Sequence, residues 1–205
     1  MEEKTGRALQ SELTRKKIIA AATQLFLRRG YFATSIADLA GAVEMTKGAL
    51  YHHFQNKEAI FSAVVGTIKK TWRDSVARET MGAGRDPLER LSTMLESHAR
   101  FLEKNESFCL VLNGLMTEMD GVNPDFLSEL QSAYKDMARF IEQIIRKGQA
   151  EEKLRSDVDA GLTALTIVGM LRGTGCGRPI AERKKNDYIA TMDVLKKVVI
   201  QGLRK

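Results

Sequence analysis

The sequence predicts an all-helical protein, and three observations carry that expectation. Only three prolines interrupt 205 residues. Apolar residues recur every three or four positions rather than alternating. The strong helix formers Ala, Leu, Glu, Lys and Arg are abundant throughout. At 43% apolar and 28% charged residues, the chain has the composition of a folded globular protein and can bury a sizeable core.

Taken in order, residues 11–31 place Ile18, Ile19, Ala22, Leu25 and Phe26 on one helical face. Gly30 ends that helix behind Arg28 and Arg29, cations suited to a helix C-terminus. Ser35 and Asp38 then form a capping-box pair, and Ile36, Leu39, Ala40 and Val43 make an inward stripe. A break at Glu44-Met45 separates this helix from TKGALYHHF, residues 46–54. Asn56 can cap a longer helix through residue 79, with Ile60, Phe61, Val64, Val65, Ile68 and Trp72 as its apolar side.

MGAGRDP, residues 81–87, is the clearest boundary: its glycines stop one helix, and Pro87 suits the first position of the next. Helices are predicted over 87–104, 106–119, 124–150, 157–172 and 185–203, with the glycine-rich GTGCGRP joining the last two. The expected organisation is about nine helices: a head over 1–57, a connecting helix over 57–80 and a larger helical body over 81–205. There is no internal repeat, low-complexity tract or convincing strand.

The formal charge is +6, which favours an acidic partner but locates nothing. Residues 1–60 hold nine Lys/Arg against six Asp/Glu, and residues 178–205 hold eight against three. Cys109 and Cys176 lack paired spacing, so neither a disulfide framework nor a zinc site is expected, and reduced thiols in a cytoplasm fit. The start lacks a signal-peptide core, and the longest apolar run, AGLTALTIVGML, is too short to span a bilayer. A soluble cytoplasmic protein with no membrane partner is expected. No metal triad, nucleophile elbow, phosphate-binding glycine loop or Glu-x-x-His pair is present, so neither an enzyme nor a cofactor is expected.

Two short helices joined by a tight turn and braced by a longer one form a helix-turn-helix, whose second helix enters the DNA major groove. At 100° per residue, Thr46, Ala49, Leu50, His53 and Phe54 fall on one arc, while Lys47, Gly48, Tyr51 and His52 fall on the other. The second arc offers a cation, a hydroxyl, an imidazole and a bare backbone, a set suited to phosphates and base edges. A metal site on His52 and His53 is disfavoured, since adjacent helical residues diverge and no cysteine or second histidine pair joins them.

The run ATSIADLAGAVEMTKGALYHHFQNKEAIF resembles the signature of the TetR family of transcriptional regulators, within a match over about residues 12–65. The resemblance implies that Thr34 and Ser35 sit near a phosphate. It implies that Thr46, Lys47 and Gly48 approach base edges, and that Tyr51, His52, His53 and Lys57 hold the sugar-phosphate backbone. Glu44 departs from the family's usual glycine, at a turn position where positive φ is common.

The resemblance further implies a homodimer on a palindromic double-stranded DNA operator, acting as a repressor released by a small molecule held in the body. Candidate lining residues are Met94, His98, Phe101, Cys109, Leu112, Asn113, Met116, Tyr134, Met137 and Phe140, although a Met/Phe stripe at helical spacing is also what ordinary core looks like. For dimerisation, Gly161, Gly169 and Gly173 permit close backbone approach, and Tyr188, Met192, Leu195 and Val199 recur on one face of the final helix. A stripe packed within its own chain is the competing reading of those four. The alternative to the whole scheme is a ligand-independent DNA-binding or adaptor protein.

Overall fold

The computed structural model describes residues 2–119, 124–175 and 187–205. Helix α1 spans Glu2–Arg29, α2 Ile36–Ala42, α3 Lys47–His53 and α4 Lys57–Trp72. A π-helical turn, Arg73–Ala77, and a short α5, Arg78–Gly82, prolong α4 into one helical run. Then follow α6 Pro87–Lys104, α7 Glu106–Met119, α8 Pro124–Ala150, α9 Ala160–Gly175 and α10 Asp187–Leu203. With the 57–82 run counted once, the described residues hold nine helical segments, as the sequence predicts.

Two helix starts differ from expectation by more than one residue. α1 begins at Glu2, not near residue 11, because its early residues form helix on propensity alone; residues 6–13 stay exposed, so no apolar stripe marks them. α9 begins at Ala160 rather than 157, since Asp159 Oδ1 accepts the Leu162 N–H at 2.7 Å and caps the first turn there. The expected start of α10, at residue 185, lies outside the described residues.

The chain forms two compact units: Met1–Ile68 with Val111–Leu130, and Lys69–Leu110 with Gln131–Lys205. The division therefore interleaves, falling inside α4, α7 and α8. A boundary read along the chain at 81–87 marks a break between α5 and α6, both of which belong to the second unit.

The first unit is closed by Ile18, Ala22, Phe26, Leu39, Leu50, Phe54, Phe61, Val64 and Val65, all buried. Tyr31 sits among aromatic rings, 5.4 Å from Phe26 and Phe61 and 5.3 Å from Phe126, with Phe61 and Phe126 stacked at 4.7 Å. In the second unit α6 supplies Leu91, Met94, Leu95 and Leu102 to a core shared with Ile141 and Ile145 of α8, Ile167 of α9 and Leu195 of α10. Lys196 of α10 pairs with Glu96 of α6 at 2.9 Å.

That packing corrects the expected dimer stripe. Met192, Leu195 and Val199 point into the chain's own core, at 2%, 7% and 6% exposure. The competing, intrachain reading therefore applies to these three, and the Tyr188 side chain lies outside the described residues, as does Cys176. The apolar residues of α10 that face outward are Ile189, Val194 and Val198, at 47%, 63% and 56% exposure. On α9, Leu162, Leu165 and Met170 are exposed beside Gly169 and Gly173, while Gly161 is half-buried.

Candidate nucleic-acid interface

The helix-turn-helix is assembled by local hydrogen bonds that the residue types dictate. Ser35 Oγ accepts the Asp38 N–H at 3.1 Å, and Asp38 Oδ2 accepts the Ser35 N–H at 2.9 Å, completing the expected capping box. The Ser35 bonds, with Arg29 nearby, hold the Asp38 carboxyl below its ordinary range. α2 ends in a Schellman turn: the Met45 N–H bonds to the Ala40 carbonyl at 2.9 Å and the Glu44 N–H to the Gly41 carbonyl at 3.2 Å. That geometry puts Glu44 at φ 57°, left-handed backbone on a residue with a Cβ. Thr46 then caps α3, its Oγ1 accepting the Ala49 N–H at 3.2 Å.

The far end of α3 is fixed from α1. The Arg15 guanidinium lies 4.0 Å over the Phe54 ring and donates to the His53 carbonyl, one of the helix's terminal acceptors. Leu50 and Phe54 anchor the inner side, both buried. Thr46, Lys47, Gly48, Tyr51 and His52 are exposed, with Tyr51 at 49%. His53 is half-buried, and desolvation first, then His52 and Arg15, lowers its pKa below the ordinary histidine value. The neutral form of the ring is thereby favoured, and its one N–H can still donate.

Two expected DNA contacts turn inward instead. Thr34 is fully buried and its hydroxyl donates to the Gly30 carbonyl at 2.7 Å. The Lys57 ammonium donates to the carbonyls of Tyr31 and Thr34, each at 3.0 Å, and lies 4.1 Å over the Tyr31 ring. Both residues brace the loop before α2; a helix start and a conspicuous charge did not distinguish that role from phosphate contact. Ser35 remains exposed at the N-terminus of α2.

Sequence reasoning missed the other brace. Glu118, on the part of α7 that belongs to this unit, accepts the Tyr31 N–H at 2.8 Å through Oε2 and the Phe32 N–H at 2.7 Å through Oε1. Gly30 makes room for it: at φ 81°, a Cβ there would sit 2.8 Å from Glu118 Oε2. Nothing in the local pattern around either residue advertises a bond across 87 positions.

The expected ligand residues do not all fall together. Met94, His98, Phe101 and Met137 are buried in the second unit's core, with Cys109, Tyr134 and Phe140 packed against it. Leu112, Asn113 and Met116 belong to the first unit. His98 Nδ1 accepts the Trp72 indole N–H at 3.1 Å, a buried pair spanning α6 and α4. Among the described residues, no group of three or more metal-capable side chains converges, and no helix is long and apolar enough to cross a membrane.

The comparisons agree with this architecture. Residues 18–64 match the model for bacterial regulatory proteins of the tetR family, and residues 87–180 match that for the tetracyclin repressor-like C-terminal domain. The HTH-type transcriptional repressor DhaR of Mycobacterium sp. (strain GP1) is 23% identical over 159 residues, covering 78% of this chain and 79% of its own. A TetR transcriptional regulator from Chloroflexus aurantiacus superposes with a TM-score of 0.80 at 22% identity, covering 95% of this chain and 98% of its own. AibR, solved with isovaleryl coenzyme A and operator DNA, superposes at 0.69 with 22% identity over 87% of this chain and 95% of its own. An HTH head with a capped, outward-facing second helix, followed by a repressor-type helical body, establishes that this chain belongs to the TetR family of transcriptional regulators and is not an enzyme.

Proposed function

We propose that this chain is a cytoplasmic, dimeric repressor that binds a palindromic operator through residues 46–53 and is released by a small apolar or amphipathic molecule. The observation that supports DNA binding most directly is the outward arc of α3. Lys47 can donate to guanine O6 or N7, Gly48 lets the backbone approach closely, and Tyr51 and His52 reach the sugar-phosphate backbone. Thr46, at the N-terminus of α3, lies beside Lys47 on the exposed end of that helix. The likeness to AibR, solved with both isovaleryl coenzyme A and operator DNA, favours the ligand-responsive scheme over a ligand-independent one.

Dimerisation is assigned to the exposed apolar stripes of α9 and α10, carried by Leu162, Leu165, Met170, Ile189, Val194 and Val198. A monomer leaving this much apolar side chain in water on two adjacent helices would be unusual. A second copy presenting the same surface buries it symmetrically. Two heads then engage half-sites one or more helical turns apart.

The test is fluorescence anisotropy with labelled DNA from upstream of the chain's own gene, against scrambled DNA, at two salt concentrations. Tight, salt-sensitive, selective binding is expected; no binding to any DNA at low salt would sink the regulator reading. Lys47→Ala should relax preference at particular base pairs by about 1–3 kcal/mol, while Tyr51→Ala should weaken all sequences alike. Val194→Glu should leave a folded monomer in sedimentation velocity; an unchanged dimer would remove α10 from the interface.

A further inference from the structure

Trp72 is the only tryptophan in the chain, and its indole N–H can only donate. Because it donates to His98 Nδ1 at 3.1 Å, that nitrogen holds a lone pair and the proton of the neutral ring resides on Nε2. Burial keeps the ring neutral: His98 is 4% exposed, and desolvation pushes its pKa down to about 4. Phe101 stacks on the imidazole at 5.9 Å, and Phe140 meets Trp72 edge-on at 5.7 Å. The tautomer and the ring plane are thus both fixed.

The Nε2–H has no assigned task inside the protein. The imidazole's one hydrogen bond among the described residues is the one through Nδ1. No described side-chain nitrogen or oxygen is both sealed from solvent and without a partner, so the unpartnered Nε2–H keeps some access to solvent. A donor this deep in apolar surroundings calls for an acceptor. Around it on α6 stand Met94, Leu95, Phe101 and Leu102, all buried. The described buried polar residues of this unit are Thr80, Ser97 and His98, with no carboxylate among them. A cation entering here would meet no buried carboxylate among the described residues of this unit.

We propose that His98 Nε2–H is the polar anchor of a small-molecule site in the second unit, taking an apolar molecule that presents a carbonyl or carboxylate oxygen and rejecting amines. Trp72 acts as a positioning residue that holds the donating tautomer. This assignment rests on the ligand-responsive reading above and specifies the class of molecule.

Three probes of one length differ only in the head group: methyl octanoate, octanoate and octylamine. Ligand-induced thermal stabilisation measures binding to the wild-type dimer, and quenching of the single tryptophan reports contact near His98. The ester or the carboxylate, or both, should bind at least about tenfold more tightly than the ammonium, and which of the two is preferred separates a neutral ligand from an anionic one. His98→Phe, which keeps a ring against Phe101, should abolish that preference. Trp72→Phe, read by thermal stabilisation alone, should narrow it by freeing the other tautomer. Octylamine binding as tightly as the ester and octanoate, an unchanged preference in His98→Phe, or no probe binding at millimolar concentration would each overturn the assignment. The wild-type comparison stands even if a variant fails to fold. Operator binding measured on the same preparation keeps the regulator reading separate: retained DNA binding with no head-group preference sinks only the His98 site, whereas selective binding that leaves the DNA complex intact sinks release by ligand.

Discussion

Replacing Gly30 by alanine tests the brace that holds the loop before the helix-turn-helix. The new Cβ would lie 2.8 Å from Glu118 Oε2 and 3.0 Å from its Cδ and Oε1, too close for any of them to stay. A carboxylate at the end of a flexible chain ordinarily moves cheaply, but this one accepts the N–H groups of both Tyr31 and Phe32. Moving it forfeits two charge-assisted hydrogen bonds, each worth about 1.5–3 kcal/mol when buried and less at the exposed Phe32 N–H. Left-handed backbone on alanine adds about 1 kcal/mol. The expected loss is about 2–4 kcal/mol, and in a chain of this size each kcal/mol lowers Tm by about 2–4 °C. Thermal and urea unfolding followed by far-ultraviolet circular dichroism would measure it. A double-mutant cycle with Glu118→Ala isolates the cause, since without the carboxylate only the backbone strain of about 1 kcal/mol should remain. If Gly30→Ala costs the same in both backgrounds, the contact with Glu118 is not what the glycine protects.

Glu44→Gly should stabilise the protein by about 1 kcal/mol in urea titration, since φ 57° carries a side chain that glycine would omit; a loss of stability would contradict the strain. Lys57→Met should lower stability by roughly 2 kcal/mol by orphaning the Tyr31 and Thr34 carbonyls, while leaving the slope of DNA affinity against salt unchanged. A reduced slope would return Lys57 to the phosphate contacts. His98 contributes stability that is complete above the ordinary histidine pKa of 6.5 and is lost as pH falls toward about 4, because the unfolded chain takes up a proton that the buried ring refuses. Roughly 3 kcal/mol should disappear across that window in pH-dependent unfolding, and that portion should be absent in His98→Phe.

The sequence by itself determined the elements whose signals are local. The Ser35–Asp38 box, the stop at Gly30 and the restart at Pro87 each depend on residues within one helical turn, and each helix boundary drawn from such a signal is where the structure has it. The outward arc of α3 was legible for the same reason, since a wheel needs only the helix itself and one anchored face.

Only the tertiary structure decided what each polar or apolar face meets. Lys57 reads as a cation at a helix start until its ammonium is found on two loop carbonyls, and Thr34 as a phosphate donor until it is found buried. The stripe Met192, Leu195 and Val199 has the period of an interface and the period of a core alike, and packing against α6 and α9 decided for the core. Glu118 and Arg15 carry no periodic signal, because a hydrogen bond between elements distant in the chain depends on how those elements pack. Periodicity fixes which face a residue shares, and packing alone fixes what that face touches.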